Sequence, residues 1–218
     1  MKKGKVVHRI PKDHYLVSNR NRVFTDKKLE ASVNACRGKM IFDDEDITMK
    51  KAYGCKIFDV YEEMIPHQKT GESIKQIWID HKPTVSVVAI TNSNKILFVQ
   101  QYRNAVKENL LELPAGSIDD GENPLEAAQR ELAEETGWKA KSLILLYTGF
   151  FIPGYGNERM YFYLAKDLFY DPLPPDAHED IIVTEIEFKV IKEYLNHGTI
   201  RDIKTVLGLK LAEKYFID

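Results

Sequence analysis

The sequence predicts an α+β fold, with strands and a few helices in succession and a small antiparallel sheet ahead of the main one. Three observations lead there. Short runs rich in valine, isoleucine and aromatic residues recur in pairs about turn-forming segments. One stretch between the later pairs, 124–136, carries both the start and the stop signals of a helix. Beyond the last strand-like run the apolar spacing turns helical. Neither an internal repeat nor a low-complexity segment interrupts this order.

The first forty residues are basic, with only Asp13, Asp26 and Glu30 against many lysines and arginines. Such a run reads as a solvated or locally packed extension, with an anionic ligand or nucleic acid as the alternative partner. The acidic turn Asp43-Asp44-Glu45-Asp46 ends it. The expected division is therefore a basic extension over 1–45, a small N-terminal β region over 46–81 and a main domain over 82–218. In the second part, Lys56 to Ile65 and Ser73 to Asp80 flank the turn-rich stretch from His67 to Glu72 and predict an antiparallel pair. A second pair, Thr84 to Thr91 and Lys95 to Tyr102, flanks Asn92-Ser93-Asn94 and is apolar enough for burial on both faces. A helix from Pro124 to Thr136 follows, with Asn123 as N-cap, Pro124 at the first position, Glu126 closing a capping box and Gly137 as C-cap. Leu143 to Phe151 and Met160 to Lys166 form a third pair around the turn from Pro153 to Asn157. Asp180 to Phe188 reads as one more strand, and Val190 to Asn196 and Arg201 to Tyr215 as helices.

Composition sets limits. The net charge of −2 over 218 residues predicts neither a nucleic-acid binder nor a membrane-surface protein for the chain as a whole. No apolar run is long enough to span a bilayer, and the basic start is not followed by the apolar stretch of a secretory signal. A cytoplasmic chain is expected, with Cys36 and Cys55 as reduced thiols, since nothing resembles a disulfide framework or a zinc spacing.

On the predicted helix, Leu125, Ala128, Leu132 and Thr136 recur at three- and four-residue steps and are expected to face the core, while Glu131, Glu134 and Glu135 share another face. Converging carboxylates repel one another unless cations fill the patch, and hard divalent cations with oxygen ligands, Mg²⁺ or Mn²⁺, are the natural occupants. The plainer alternative is a solvated glutamate face with an Arg130–Glu134 ion pair. Gly116 and Glu122 extend the constellation across a loop, which solvation alone does not require.

Gly116, Glu122, Arg130, Glu131, Leu132, Glu134, Glu135, Gly137 and Trp138 match the pattern G-x5-E-x7-R-E-U-x-E-E-x-G-U at every fixed position, U being apolar. This is the Nudix box, so the chain resembles the Nudix hydrolases. The resemblance covers about residues 48–216 and implies a Nudix fold, a mixed β-sheet sandwiched between helices. It also implies Mg²⁺-dependent hydrolysis of a diphosphate, with Mn²⁺ as a substitute. Arg103, the run Glu112-x-Pro114-Ala115-Gly116 and Pro153, sixteen residues beyond Gly137, are similar to the ADP-ribose pyrophosphatase branch. That branch implies a nucleoside diphosphate sugar as substrate, ADP-ribose split into AMP and ribose 5-phosphate.

Residue roles follow from the resemblance. The Ala115 carbonyl, Glu131 and Glu135 are the implied metal ligands, with Glu134 a ligand or a residue supporting them. Arg130 orients the glutamates. Arg103 matches the diphosphate-binding arginine; without the resemblance it is equally a surface charge at a strand end. Pro153, Gly154 and Glu158 match a substrate loop, although proline and glycine together also make an ordinary turn. The general base is expected in the acidic loop before the last strand, where Glu179 is either the base or a further metal ligand and Glu134 is the alternative base. Ala177 stands where many relatives carry a second glutamate. Relatives of this kind form homodimers whose N-terminal strands help build the partner's adenine pocket, which makes Lys75, Phe58 and Trp78 candidates for its lining; strand aromatics also serve as plain core or interface. Two other classes stay open: a Nudix enzyme acting on GDP-mannose, a dinucleoside polyphosphate or capped RNA, and a non-catalytic ligand-sensing module. Retention of every member of a self-repelling glutamate cluster speaks against the second.

Overall fold

The computed structural model describes residues 49–175 and 180–216. The basic extension, Cys36 and Glu179 lie outside the described residues. Among the described residues, ten strands form three sheets, joined by three α-helices. No helix among the described residues is long and apolar enough to cross a membrane.

The N-terminal β region is a three-stranded meander of β1 (Met49–Gly54), β2 (Phe58–Pro66) and β3 (Ser73–His81). The expected β2–β3 pair is present, closed by hydrogen bonds between His67 and both Glu72 and Gly71. Strand β1 was not anticipated: it is exposed along its whole length, so it carries no alternation for a pattern search to find. The meander is tied to the rest of the chain through the turn at 155–157. Ile79 donates to the Tyr155 carbonyl at 2.8 Å and accepts from Asn157 N–H at 3.1 Å, and the Asn157 amide side chain accepts from His81 N–H at 2.8 Å.

The main sheet runs β7 (Ala115–Ser117), β4 (Thr84–Ala89), β9 (Arg159–Tyr170), β8 (Trp138–Phe150), with β4 and β9 parallel and the other pairs antiparallel. Beside it lies the order β10 (Ile181–Glu187), β5 (Lys95–Arg103), β6 (Glu108–Glu112). The β8–β9 pair agrees with the sequence expectation, but β4 and β5 do not form a hairpin. Their contact stops at the turn, where Thr91 N–H donates to the Lys95 carbonyl at 2.8 Å and Ile90 bridges Ile96. The reason is that β4, buried at every position, already has β7 on one edge and β9 on the other, so β5 turns the corner into the second sheet. The short strands β6 and β7 also escaped sequence reading; Ala-Gly-Ser has no strand propensity of its own and is extended because β4 offers it a ladder.

Alternation along β4 divides the core. Val85, Val87 and Ala89 pack with Ala127, Ala128 and Leu132 of α1 (Pro124–Thr136), while Val88 packs with Phe98, Leu113, Ile191 of α2 (Phe188–Asn196) and Leu209 of α3 (Ile203–Ala212). The result is a mixed sheet with helices on both faces. Helix α1 has the expected bounds, but its buried arc differs from the expected one: Leu125 is 49% exposed, because the first turn overhangs the sheet before the helix meets it. Ala127, Ala133, Glu131 and Glu135 are buried along with Ala128, Leu132 and Thr136.

Candidate active site

Both ends of α1 are fixed. The Asn123 side chain accepts from Leu125 and Glu126 N–H at 3.1 and 3.0 Å, the Glu126 carboxylate accepts from Asn123 N–H, and Gly137 caps the C-terminus at φ 78°. A helix so held presents Glu131 and Glu135 one turn apart against β7 rather than to solvent, each only 9% exposed. Two features of β7 receive them. Gly116 has no Cβ because one would lie 2.1 Å from the Glu131 carboxyl. The Ala115 N–H donates to Glu135 Oε2 at 3.1 Å.

That N–H is available because of register. Val87 N–H bonds the Pro114 carbonyl, and Ala115 stands opposite Ser86. Bonded and non-bonded pairs alternate in an antiparallel ladder, so both polar groups of Ala115 turn away from β4. With β7 at the sheet edge, no further strand among the described residues takes them up. The carbonyl expected from the resemblance to hold a metal is thus on the open side of the edge strand.

Arg130 organises the acidic groups. Its Nε and Nη2 donate to Glu122 at 2.9 Å, Nη2 also to the Ser117 carbonyl at 2.9 Å, and Nη1 to Glu131 at 2.7 Å and Glu134 at 2.9 Å. The Glu122 hydrogen bonds, then those to Glu131 and Glu134, push its pKa further up, so it is a permanent cation. Arg130 in turn holds the Glu122 carboxyl below its ordinary range. One guanidinium is shared by Glu122, Glu131 and Glu134, with Glu135 one helical turn beyond Glu131. Among the described residues, no three Asp, Glu, His or Cys side chains are already drawn together as a metal cage; Arg130 and the Ala115 N–H hold the carboxylates instead. The donor set nevertheless fits a hard cation: carboxylate oxygens and a strand-edge carbonyl, with Gly116 leaving room for the closest approach.

Arg103 ends β5, where its Nε and Nη2 each donate to the Glu112 carboxylate at 2.7 Å. The Glu112 bonds are the main cause of its raised pKa, with smaller contributions from the Glu112, Glu135 and Asp202 charges. The loop between β8 and β9 exposes Pro153 and Gly154 on a turn closed by Gly156 N–H to the Ile152 carbonyl at 2.9 Å. Glu158 accepts from the Thr84 hydroxyl at 2.8 Å, and Thr84 pairs with Ser117, so Glu158 is brought to the same end of the sheet as β7.

The three pocket candidates on β2 and β3 do not share a wall. Pleating puts Phe58 and Lys75 on one face, where Phe58 stacks on His81 at 6.2 Å and Lys75 pairs with Glu62 at 2.7 Å. Trp78 is on the other face, stacked on Tyr61 at 5.0 Å and donating to Glu63. Phe58 and His81 border a cavity of about 320 Å³, together with Asp59, Asp80 and Lys82. Sequence reading missed Glu112, Lys204 and Asp202 as partners behind Arg103; the only local signal is Asp202 three residues before Thr205, the N-cap spacing of α3.

The family model of the NUDIX domain matches residues 80–200. Over 175 residues the chain is 30% identical to the methanol dehydrogenase activator of Bacillus methanolicus, covering 79% of this chain and 94% of that protein. Over 173 residues it is 28% identical to the ADP-ribose pyrophosphatase of Bacillus subtilis strain 168, covering 78% and 93%. A solved ADP compounds hydrolase superposes with a TM-score of 0.67 over 78% of this chain and 92% of that one, at 23% identity, a likeness of fold.

Proposed function

The chain belongs to the NUDIX family, and on that premise we propose that it is a Mg²⁺-dependent pyrophosphohydrolase of nucleoside diphosphate sugars, cleaving ADP-ribose with water into AMP and ribose 5-phosphate. The observation that carries the reaction is the buried pair Glu131 and Glu135 pressed against Ala115 and Gly116 of an edge strand. Support for the substrate comes from Arg103, the Glu112 to Gly116 run and the likeness to an ADP-ribose pyrophosphatase.

In this reading the Ala115 carbonyl, Glu131 and Glu135 hold the metal, with Glu134 beside them. A Mg²⁺ ion held there would supply charge neutralisation of the diphosphate and a lowered pKa for a bound water, easing its deprotonation to the hydroxide nucleophile. Arg130 keeps the carboxylates in register through its bonds to Glu122, Glu131 and Glu134. Arg103 binds the diphosphate as a planar fork. Glu158, with Pro153 and Gly154, positions the sugar end. A carboxylate oxygen of Glu179 or Glu134 takes the proton of the attacking water. The adenine pocket of the partner subunit is lined in this reading by Phe58, which borders a cavity with His81, and by Lys75 on the same face, with Trp78 on the opposite face as the other aromatic candidate. The homodimer belongs to the same reading, with Met49, Tyr53 and Ile77 of the N-terminal sheet left exposed for a partner.

A panel of ADP-ribose, GDP-mannose and dinucleoside polyphosphates, scored by product identity and kcat/KM with Mg²⁺, tests the substrate. The highest efficiency is expected for ADP-ribose, with AMP as a product, because a site bonded to the adenine edge discriminates against guanine. A preference for GDP-mannose would overturn the substrate and leave the reaction standing.

A further inference from the structure

Glu112 closes β6 and is 1% exposed, yet its carboxylate is matched on both oxygens. Arg103 takes it in a two-pronged bond, and the Lys204 ammonium of α3 meets the Oε2 that Arg103 Nη2 also holds. Lys204 donates as well to Asp202, the N-cap of α3, at 2.8 Å, and only 12% of its side chain is exposed. Arg103, Glu112, Lys204 and Asp202 thus form a row of alternating charge from the end of β5 into the first turn of α3. The same turn grips the main chain: the Thr205 hydroxyl, fully buried, accepts from Leu113 N–H at 2.8 Å and donates to Asp202. Burial works to raise the Glu112 carboxyl, but the Arg103 bonds and the Lys204 charge outweigh it and hold it below its ordinary range.

The physical consequence is orientation. A guanidinium at a strand end has many rotamers, and it is useful to a diphosphate only in those that aim its fork at the phosphates. With its Nε–Nη2 edge bonded to Glu112, Arg103 has its Nη1–Nη2 edge to turn to phosphate, and the plane of Glu112 is fixed by α3, a helix on the opposite face of β4 from the glutamate-bearing α1. The second cation also offsets the cost of burying the carboxylate.

We infer that Lys204 is a positioning residue for diphosphate binding, holding Glu112 so that Arg103 is presented in one orientation. This rests on the reading of Arg103 as the diphosphate ligand. The test compares the full-length protein with Arg103→Ala, Lys204→Met and the double variant, using kcat/KM for ADP-ribose with Mg²⁺, the Kd of inorganic pyrophosphate, and urea unfolding. Lys204→Met is expected to lower kcat/KM at least about tenfold and to weaken pyrophosphate by a similar factor, a misplaced binding group being costly. In the Arg103→Ala background the same substitution is expected to cost less than about twofold, since groups acting as a unit are not additive. If Lys204→Met does not fold, Lys204→Gln, which keeps a donor near Glu112 without the charge, is read in its place. Equal losses in both backgrounds, or no loss in the wild-type background, would overturn the inference alone. Wild-type kcat/KM and pyrophosphate affinity for Arg103→Ala would overturn the reading of Arg103 and the inference with it.

Discussion

At Gly116 the Glu131 carboxyl occupies the space a methyl group would take. Gly116→Ala is therefore expected to push Glu131 off β7 and to lower turnover by about 10²-fold, the cost of misplacing a catalytic group by about 1 Å. Turnover measured beside thermal unfolding checks it; near-normal turnover of a folded variant would show that Glu131 needs no contact with the strand. Glu112 makes a second prediction, in pH. Its folded-state pKa lies below the ordinary 4.5, so its ion pairs contribute stability that is complete above about pH 4.5 and is lost as the pH falls through the folded value. Thermal midpoints of the wild type should drop more steeply between about pH 5 and 3 than those of Glu112→Gln; parallel curves would mean that the Arg103 and Lys204 pairs do not shift the group. What was legible at this scale was local. Gly116, Glu122 and the residues of α1 lie within one short stretch at fixed spacing, whereas Lys204 meets Glu112 across 92 positions of sequence, and no spacing rule spans that distance.

Helix α1 was read from the sequence with its bounds, because caps are chemistry of neighbouring residues: Asn123, Pro124, Glu126 and Gly137 each act within a turn of where they stand. Removing the N-cap with Asn123→Ala leaves the N–H groups of Leu125 and Glu126 without their acceptor and is expected to cost about 1 kcal/mol. Urea unfolding measures it, and a change within about 0.3 kcal/mol would mean that water serves the helix end as well as Asn123 does. Strands were legible as segments but not as pairs. The β4 and β5 runs look like a hairpin about Asn92-Ser93-Asn94, and only the competing claims of β7 and β9 on the edges of β4 send them to different sheets. Leu125 failed for a related reason: periodicity gives the direction of a face but not where along the helix the sheet begins.

For the molecule as a whole, helices on both faces of β4 place the glutamate cluster on one side and the α3 bracket, which holds Glu112 and through it Arg103, on the other. Every described element of this arrangement lies beyond residue 48. Deleting residues 1–45 is accordingly expected to leave a soluble protein with turnover close to that of the full chain; insoluble or inactive material would show that the extension completes the core or the pocket. Fold class and reaction were legible at this scale because the motif names its own context, a strand-borne glycine ahead of a capped helix. Substrate was less so, since the groups proposed to choose a base or a sugar sit on β2, β3 and the 153–158 loop, far apart in sequence, and only the bonds of Ile79 and Asn157 join those segments. Whether the Glu131 and Glu135 pair holds a catalytic divalent cation is decided by turnover of ADP-ribose with and without Mg²⁺, for the wild type and for Glu135→Gln. Activity is expected to require the metal and to fall at least about 10²-fold in the variant, with unfolding unchanged. Metal-independent turnover, or a fully active Glu135→Gln, would contradict it.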